Sequence, residues 1–127
     1  MSLSLSNKTK EKLPVSRAQF LRIQNAVLGR AYTVSVAFVA PAEMKRVNRI
    51  YRRRNEATDI LSFPLGGRSG EILLCMPEVR RQARLFERSP KNCLFFLFIH
   101  GLLHLKGMRH GGTMEKQEQK FRAKFGI

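Results

Sequence analysis

All three histidines of the chain lie within eleven residues, in the stretch HGLLHLKGMRH that runs from His100 to His110. Residues four apart share one face of a helix, so His100 and His104 can direct their ring nitrogens at one ion about 2 Å away. Gly107 can adopt the left-handed conformation that ends a helix and turns the chain back. His110 can then supply a third ligand from a loop. The spacing predicts one metal ion held by three neutral imidazoles.

Three histidine ligands leave one coordination position of zinc open, which is the usual arrangement at a catalytic zinc. The alternative is that His100 and His104 are core histidines bonded to backbone carbonyls, but three histidines with Gly107 in place favour the metal. The same spacing occurs in the metzincin protease signature H-E-x-x-H-x-x-G-x-x-H. Gly101 stands where that signature has its general base, so the metal site survives while the protease mechanism loses its proton acceptor.

The charge of the chain indicates a polyanionic partner. Twenty-four Lys and Arg oppose nine Asp and Glu, which gives a net charge of +15. Six of these cations fall within KRVNRIYRRR, residues 45–54, and the segment from Arg80 to Lys91 is also rich in arginine. A field of this size and clustering predicts RNA or DNA as the partner, with a merely solvated basic surface as the alternative. A membrane partner is not expected, since no broad Trp-rich apolar face accompanies the cations.

Apolar periodicity and turn residues predict the element order β-α-β-α-β-β-α-α-α. The alternating, β-branched segment 32–39 is the clearest strand, and segments 58–64 and 70–75 are short neighbouring strands that imply some antiparallel pairing. Met44, Val47, Ile50 and Tyr51 predict the apolar stripe of a helix that starts at Pro41. We expect an α+β fold: a single domain over 1–127 with a four-stranded mixed sheet, helices packed against it and a zincin-like three-histidine metal site.

The cysteines and the N-terminus indicate a cytoplasmic protein. Cys75 and Cys93 are far apart and have no C-x-x-C spacing, so they are interpreted as buried apolar residues in a reducing compartment. The N-terminal MSLSLSNKTKEK lacks the apolar core of a signal peptide. The longest apolar run, from Cys93 to Leu105, is too short to span a bilayer and predicts a buried helix.

Three blocks of the sequence, in order, resemble the YbeY family of bacterial rRNA maturation factors. HGLLHLKGMRH is similar to that family's H-G-x-L-H-L-x-G-[YF]-D-H, and GEILLCMPEVRRQA is similar to its G-D-I-x-I-C and the helix that follows. MKRVNRIYRRRNEATDILSFP resembles L-N-x-x-Y-R-x-x-D-x-P-T-[DN]-V-L-S-F-P. The matching positions of that block are Asn48, Tyr51, Arg52, Thr58, Asp59, Leu61, Ser62, Phe63 and Pro64.

The resemblance implies a metal-dependent endoribonuclease that cuts single-stranded RNA in rRNA maturation and ribosome quality control. It implies one Zn²⁺ per chain and the small ribosomal subunit as a partner, without an organic cofactor or a membrane. The family's metal ligands carry over to His100, His104 and His110, and its functionally important arginine carries over to Arg52. These four residues are the predicted catalytic set. The alternative function is an RNA-binding ribosome-assembly factor with a structural metal and little or no nuclease activity.

Three positions depart from the family pattern. Asn55 replaces an aspartate, Ala57 replaces a proline, and Arg109 replaces the aspartate beside the last histidine. The first two lie in a predicted loop. Arg109 places a cation near the predicted metal, where a carboxylate could have braced a ligating imidazole.

The general base remains open among the acidic residues. Asp59 lies in a matching block but could equally cap or brace a strand, and Glu71 opens a strand. Arg52 has the alternative of being one more solvated arginine on a basic helix. Phe63 is either a stacking partner for a base or a core aromatic, with the core role favoured.

Overall fold

The elements of secondary structure follow the predicted order throughout residues 3–13 and 15–127, which the computed structural model describes. They are β1 (Leu3–Asn7), α1 (Arg17–Leu28), β2 (Thr33–Phe38), α2 (Pro41–Arg52), β3 (Ile60–Gly66), β4 (Ser69–Leu74), α3 (Met76–Leu85), α4 (Pro90–Leu105) and α5 (Gly112–Phe125). None of the helices within these ranges combines the length and the apolar character needed to cross a membrane.

The four strands form one mixed sheet in the order β1-β2-β4-β3. β1 and β4 both pair in parallel with β2, whereas β3 pairs antiparallel with β4. The tight turn that joins β3 to β4 uses Gly66 and Gly67, whose φ angles of 91° and 58° favour glycine. The predicted α+β fold with a mixed sheet is therefore confirmed. Because β3 is an edge strand, one side of it is free to border a cleft.

Helix α4 forms the centre of the main core. Ser89 caps it by accepting a hydrogen bond from the backbone N–H of Asn92 at 3.0 Å, and Pro90 occupies the first turn. Nine of its sixteen residues are buried, in agreement with the predicted buried helix. Phe98 packs against Phe20 of α1 with ring centroids 4.8 Å apart. The helix that carries two of the histidines is thus held rigidly against the sheet and its neighbours.

Helix α2 covers a second, smaller core cluster on the other face of the sheet. Its buried residues are Met44, Val47 and Asn48, so the predicted stripe is correct at its first two positions. It is wrong at Ile50 and Tyr51, which are 53% and 69% exposed. Ile50 falls off the face that the 3.6-residue period defines, and Tyr51 lies in the last turn, past the part of the helix that covers the core.

Asn48 fixes the loop that follows α2. Its side chain is buried, and its Nδ2 donates a hydrogen bond to the backbone carbonyl of Glu56 at 2.9 Å. A buried amide that donates a hydrogen bond to a loop carbonyl stabilises one conformation of the loop between α2 and β3. The end of α2 and the start of β3 are therefore held in a fixed relation.

Both cysteines are buried and free, as the sequence predicts. Burial is the main cause that raises the pKa of each thiol above its ordinary value. The thiolate is the nucleophilic and metal-binding form of cysteine, so neither Cys75 nor Cys93 is activated for chemistry at neutral pH.

Candidate metal centre

The three histidines meet at the C-terminal end of α4. His100 and His104 lie one turn apart on the same face, with their Nε2 atoms 3.0 Å from each other. His110 lies in the loop after the helix. The centroid of its ring lies 5.0 Å from the ring centroid of His100 and 4.9 Å from that of His104. One ring nitrogen of each residue lies within 4.8 Å of the others, so the cluster could hold a metal ion.

The spacing of the Nε2 atoms of His100 and His104 fits the dimensions of a zinc site. Zn–N bonds of about 2.0–2.1 Å in tetrahedral geometry place two ligand nitrogens about 3.3 Å apart. The 3.0 Å between the Nε2 atoms of His100 and His104 is close to this value. His110 is exposed, whereas the other two are half-buried, so the cluster opens toward solvent on the loop side.

Gly107 turns the chain so that His110 comes back toward the helix. Its φ of 97° lies in the left-handed region, where glycine is favoured. Its N–H donates to the carbonyl of His104 at 2.9 Å, and the N–H of Met108 donates to the carbonyl of Leu103 at 3.0 Å. These bonds form a helix-ending motif of the Schellman kind. The predicted role of Gly107 is confirmed.

The carboxylate of Glu118, on α5, contacts the Nδ1 of His100 in a short hydrogen bond. The Glu118 side chain is only 13% exposed, so this contact is shielded from water. In the tautomer that donates from Nδ1, the Nε2 lone pair of His100 points toward the other histidines. Glu118 therefore orients one ring of the cluster.

Sequence reasoning missed Glu118, although the sequence contained a signal for it. Met114, Glu118 and Phe121 follow one another at spacings of four and three, which places them on one face of α5. Met114 and Phe121 are buried in the core. An acidic residue on a buried stripe requires a partner, and His100 is that partner.

The environment of His104 favours its neutral form. Burial is the largest cause that lowers the pKa of this imidazole, and the neighbouring His100 and His110 lower it further. A metal can bind only to an unprotonated ring nitrogen. His104 is therefore biased toward its ligating state.

The metal-depleted protein should become more stable as the pH rises toward 6.5. Because the pKa of His104 is lowered on folding, the unfolded chain binds more protons than the folded one between the lowered value and about 6.5. Protonation therefore favours unfolding as the pH falls through that window. Urea unfolding of chelator-treated protein at several pH values measures this dependence. His104→Gln should reduce the slope, and an unchanged slope would show that His104 does not contribute.

Gly101 lets α4 approach the edge strand β3 closely. A Cβ at this position would lie 2.7 Å from the Oγ of Ser62 and 2.9 Å from the Cδ1 of Ile60, both on β3. Any side chain there would have to displace the ends of these two side chains, so glycine permits the close packing at the position where the protease signature has its glutamate. The close approach also makes β3 a wall of the cleft that contains the histidines.

Gly101→Ala should destabilise the fold by roughly 1–3 kcal/mol, because overpacking forces side chains and backbone to shift. Alanine is the better helix former by about 1 kcal/mol, so the helical preference works against this expectation. Gly112→Ala is the matched control, since no atom lies within 4 Å of its added Cβ and its φ is not positive. Thermal unfolding compares the two variants. A stabilised Gly101→Ala variant would contradict the close packing of α4 on β3.

The histidines open onto a cleft of about 670 Å³. It is lined by Arg52, Thr58, Asp59, Ile60, Leu61, Ser62, Phe63, Pro64, Leu97, His100, Gly101, His104 and His110. All four predicted catalytic residues border this one cleft. Arg52 comes from the last turn of α2, where its side chain is exposed.

The two acidic residues considered as general bases differ in position. Asp59 lines the cleft, but its Oδ1 accepts a hydrogen bond from the N–H of Ile60 at 2.7 Å and from the Oγ1 of Thr58 at 3.3 Å. It therefore braces the first residues of β3. Glu71, on β4, is not among the residues that line the cleft.

Comparison with known proteins agrees with this geometry. The family model described as Endoribonuclease YbeY matches residues 4–125. The chain belongs to the YbeY family. The predicted enzyme class, a hydrolase that cuts RNA internally, agrees with the name of this family.

Individual relatives cover most of the chain. An Endoribonuclease YbeY of Solibacter usitatus is 40% identical over 68% of this chain, although the match spans only 61% of that relative. An Endoribonuclease YbeY of Alkaliphilus metalliredigens is 28% identical over 96% of this chain and 90% of its own length. The solution structure of a Thermotoga maritima protein has a TM-score of 0.66 at 25% identity, covering 97% of this chain and 88% of that one.

None of the three departures from the YbeY pattern is among the residues that line the cleft. Asn55 is exposed in the loop after α2, and Ala57 packs at the border of the second core cluster. Arg109 is exposed beside His110. The carboxylate that could brace an imidazole is present in this chain on α5, as Glu118, so replacement of the aspartate by Arg109 does not leave the cluster without one.

Proposed function

We propose that this chain is a zinc-dependent endoribonuclease that hydrolyses single-stranded RNA. Its proposed substrate is rRNA of the small ribosomal subunit in the cytoplasm, and its role is rRNA maturation and ribosome quality control. His100, His104 and His110 hold one Zn²⁺ per chain, without an organic cofactor. The observation that carries the proposal is that this cluster and Arg52 border one cleft in a chain of the YbeY family.

The donor set determines what the bound metal supplies. Zinc held by three imidazoles would polarise a phosphate oxygen or lower the pKa of a water molecule in the fourth position. Structural zinc sites are normally closed by four protein ligands. Three histidines that face an open cleft therefore favour the enzyme over an assembly factor with a structural metal.

The residues of the cleft divide the remaining work. The Arg52 guanidinium binds a phosphate and stabilises the negative charge that develops on it, since its fork of N–H donors suits phosphate oxygens. Glu118 keeps the Nδ1 proton on His100, so its Nε2 stays available as a ligand. Asp59 holds the start of β3, and with it this wall of the cleft, in position.

The surface next to the cleft supplies affinity for RNA. Helix α2 and the residues just after it carry a row of exposed cations, which are Lys45, Arg46, Arg49, Arg52, Arg53 and Arg54. Arg46 is paired with Glu43. The others offer a positive track that leads along α2 to Arg52 at the cleft. Such a track fits a phosphodiester backbone.

RNA affinity should fall steeply with salt, and reversing Arg52, Arg53 and Arg54 to glutamate should flatten the dependence. Each contact with a single strand contributes about 0.7 to the slope of log affinity against log salt, so losing three lowers the slope by about 2. The control reverses Lys116, Lys120 and Lys124, which are equally exposed on α5. Fluorescence anisotropy at several salt concentrations measures both. Equal slopes in the two triple variants would contradict binding along α2.

Incubation of zinc-loaded protein with a single-stranded rRNA fragment and with a duplex of the same sequence tests the proposed function. We expect internal cleavage of the single strand, little cleavage of the duplex, and none with His104→Ala. Cleavage that His104→Ala retains would place the reaction elsewhere. Tight binding of the fragment without cleavage would select the assembly factor instead.

A further inference from the structure

Tyr51 and Phe63 form an aromatic pair at the rim of the cleft. Their ring centroids lie 5.3 Å apart, with the ring planes inclined at 57°. Phe63 lines the cleft and packs against the second core cluster on its other side. Tyr51, one residue before Arg52, is 69% exposed. The ring of Tyr51 is thus exposed to solvent, next in sequence to Arg52, which lines the cleft.

The packing of the core does not account for Tyr51. The buried face of α2 ends with Asn48, and an aromatic ring with most of its area in water adds little to that core. Phe63 is held from behind by the cluster that contains Leu61. This support makes Phe63 a fixed base for the ring of Tyr51. The ring of Tyr51 therefore packs on a supported neighbour and still presents most of its area to solvent.

The charges around the pair define what it can bind. Arg52 borders the cleft, and Arg49, Arg53 and Arg54 are exposed nearby in sequence. An aromatic ring beside a row of cations is the combination by which proteins bind single-stranded nucleic acids, with the bases stacked on the rings and the phosphates on the cations. An apolar protein partner would be expected to bind a rim without charges. The cations around this rim therefore favour RNA as the occupant.

We propose that Tyr51, supported by Phe63, stacks on an unpaired base of the RNA and so directs the adjacent phosphate to Arg52. The inference rests on the proposed function, because it takes RNA to be the occupant of the cleft. A base within a duplex is already stacked and paired, and its faces are not available to the ring. Stacking at Tyr51 therefore selects single strands before any bond is cut.

Tyrosine fluorescence reports this contact directly. The chain has two tyrosines and no tryptophan. Tyr32 is half-buried, and its hydroxyl lies within hydrogen-bonding distance of the carbonyls of Ser69 and Leu105. Tyr51 is the exposed member, so a stacked base should quench its emission and leave that of Tyr32 unchanged. The full chain, with chelator added to prevent cleavage, is titrated with a single-stranded ten-nucleotide RNA and with the corresponding duplex.

We expect quenching by the single strand and not by the duplex. Tyr51→Phe should remove the quenching and keep the affinity, since the phenyl ring still stacks. Tyr51→Leu should weaken single-strand binding roughly five- to hundredfold, the range for losing one stacked base. Phe86→Leu is the matched control, because Phe86 is 67% exposed and lies outside the cleft. It should bind as the parent does.

Two outcomes would overturn the inference. One is that Tyr51→Leu binds as tightly as Phe86→Leu, and the other is that single strand and duplex quench alike. Thermal unfolding of each variant shows whether a weaker affinity comes from a damaged fold. The cleavage assay answers a separate question: a protein that cuts RNA without using Tyr51 keeps the proposed function and loses this inference. A protein that stacks a base on Tyr51 but does not cut RNA keeps this inference and loses the proposed function.

Discussion

His110→Ala should bind zinc more than about a hundredfold more weakly than the parent chain. Changing a residue that only supports a metal ligand typically costs 10- to 100-fold in affinity, and losing one of three ligands should cost more. His110 is exposed in a loop, so the unfolding free energy of the metal-depleted protein should stay within about 0.5 kcal/mol of the parent value. Competition with a chromophoric chelator measures the affinity.

The separation of metal affinity from stability makes this variant informative. Thr113→Ala is the control. Thr113 is also exposed, three residues after His110, and it is not one of the predicted metal ligands. This variant should bind zinc as the parent does. Elemental analysis of a His100→Ala, His104→Ala double variant supplies a second readout. One zinc per chain in the double variant would mean that the ion lies outside the cluster.

Glu118→Gln should weaken zinc binding about 10- to 100-fold. The carboxylate accepts the Nδ1 proton of His100, which fixes the tautomer and makes the ring a stronger ligand. Glutamine preserves the size of the side chain and can still accept a hydrogen bond, but it lacks the charge. The loss should therefore appear in metal affinity more than in stability. Chelator competition and urea unfolding, applied to the same preparations, separate the two.

Glu115→Gln is the matched control for this change. Glu115 lies on α5 three residues before Glu118 and is exposed. The substitution removes the same charge as Glu118→Gln. Any general effect of net charge on zinc binding should appear equally in both variants. If Glu118→Gln and Glu115→Gln bind zinc alike, the contact between Glu118 and His100 does not support the metal.

The parts of the fold that sequence predicts well are those fixed by local signals. Pro41 begins α2, and Gly107 ends the turn after the helix that carries the histidines, as their residue types predict. The neighbouring strands β3 and β4 share a short glycine turn, which makes antiparallel pairing the natural outcome. The histidine cluster follows from helical spacing plus one turn.

What the sequence did not predict depends on contacts between distant segments. Glu118 is eighteen residues from His100, and only the packing of α5 on α4 brings them together. The constraint on Gly101 comes from the side chains of β3. Tyr51 has the spacing of a core residue, but its ring packs on Phe63 at the rim of the cleft and stays largely exposed. Periodicity identifies a face of a helix and cannot show where its partner ends.

Stepwise reconstitution tests most directly whether the three histidines form the reaction centre. Metal-depleted protein is titrated with zinc while the cleavage rate of a single-stranded rRNA fragment is followed. We predict that cleavage is absent without metal, rises linearly and levels off at one zinc per chain, and that His104→Ala binds the fragment normally but stays inactive at every zinc concentration. Cleavage by the depleted protein at the rate of the loaded protein would contradict a metal-dependent mechanism at this site.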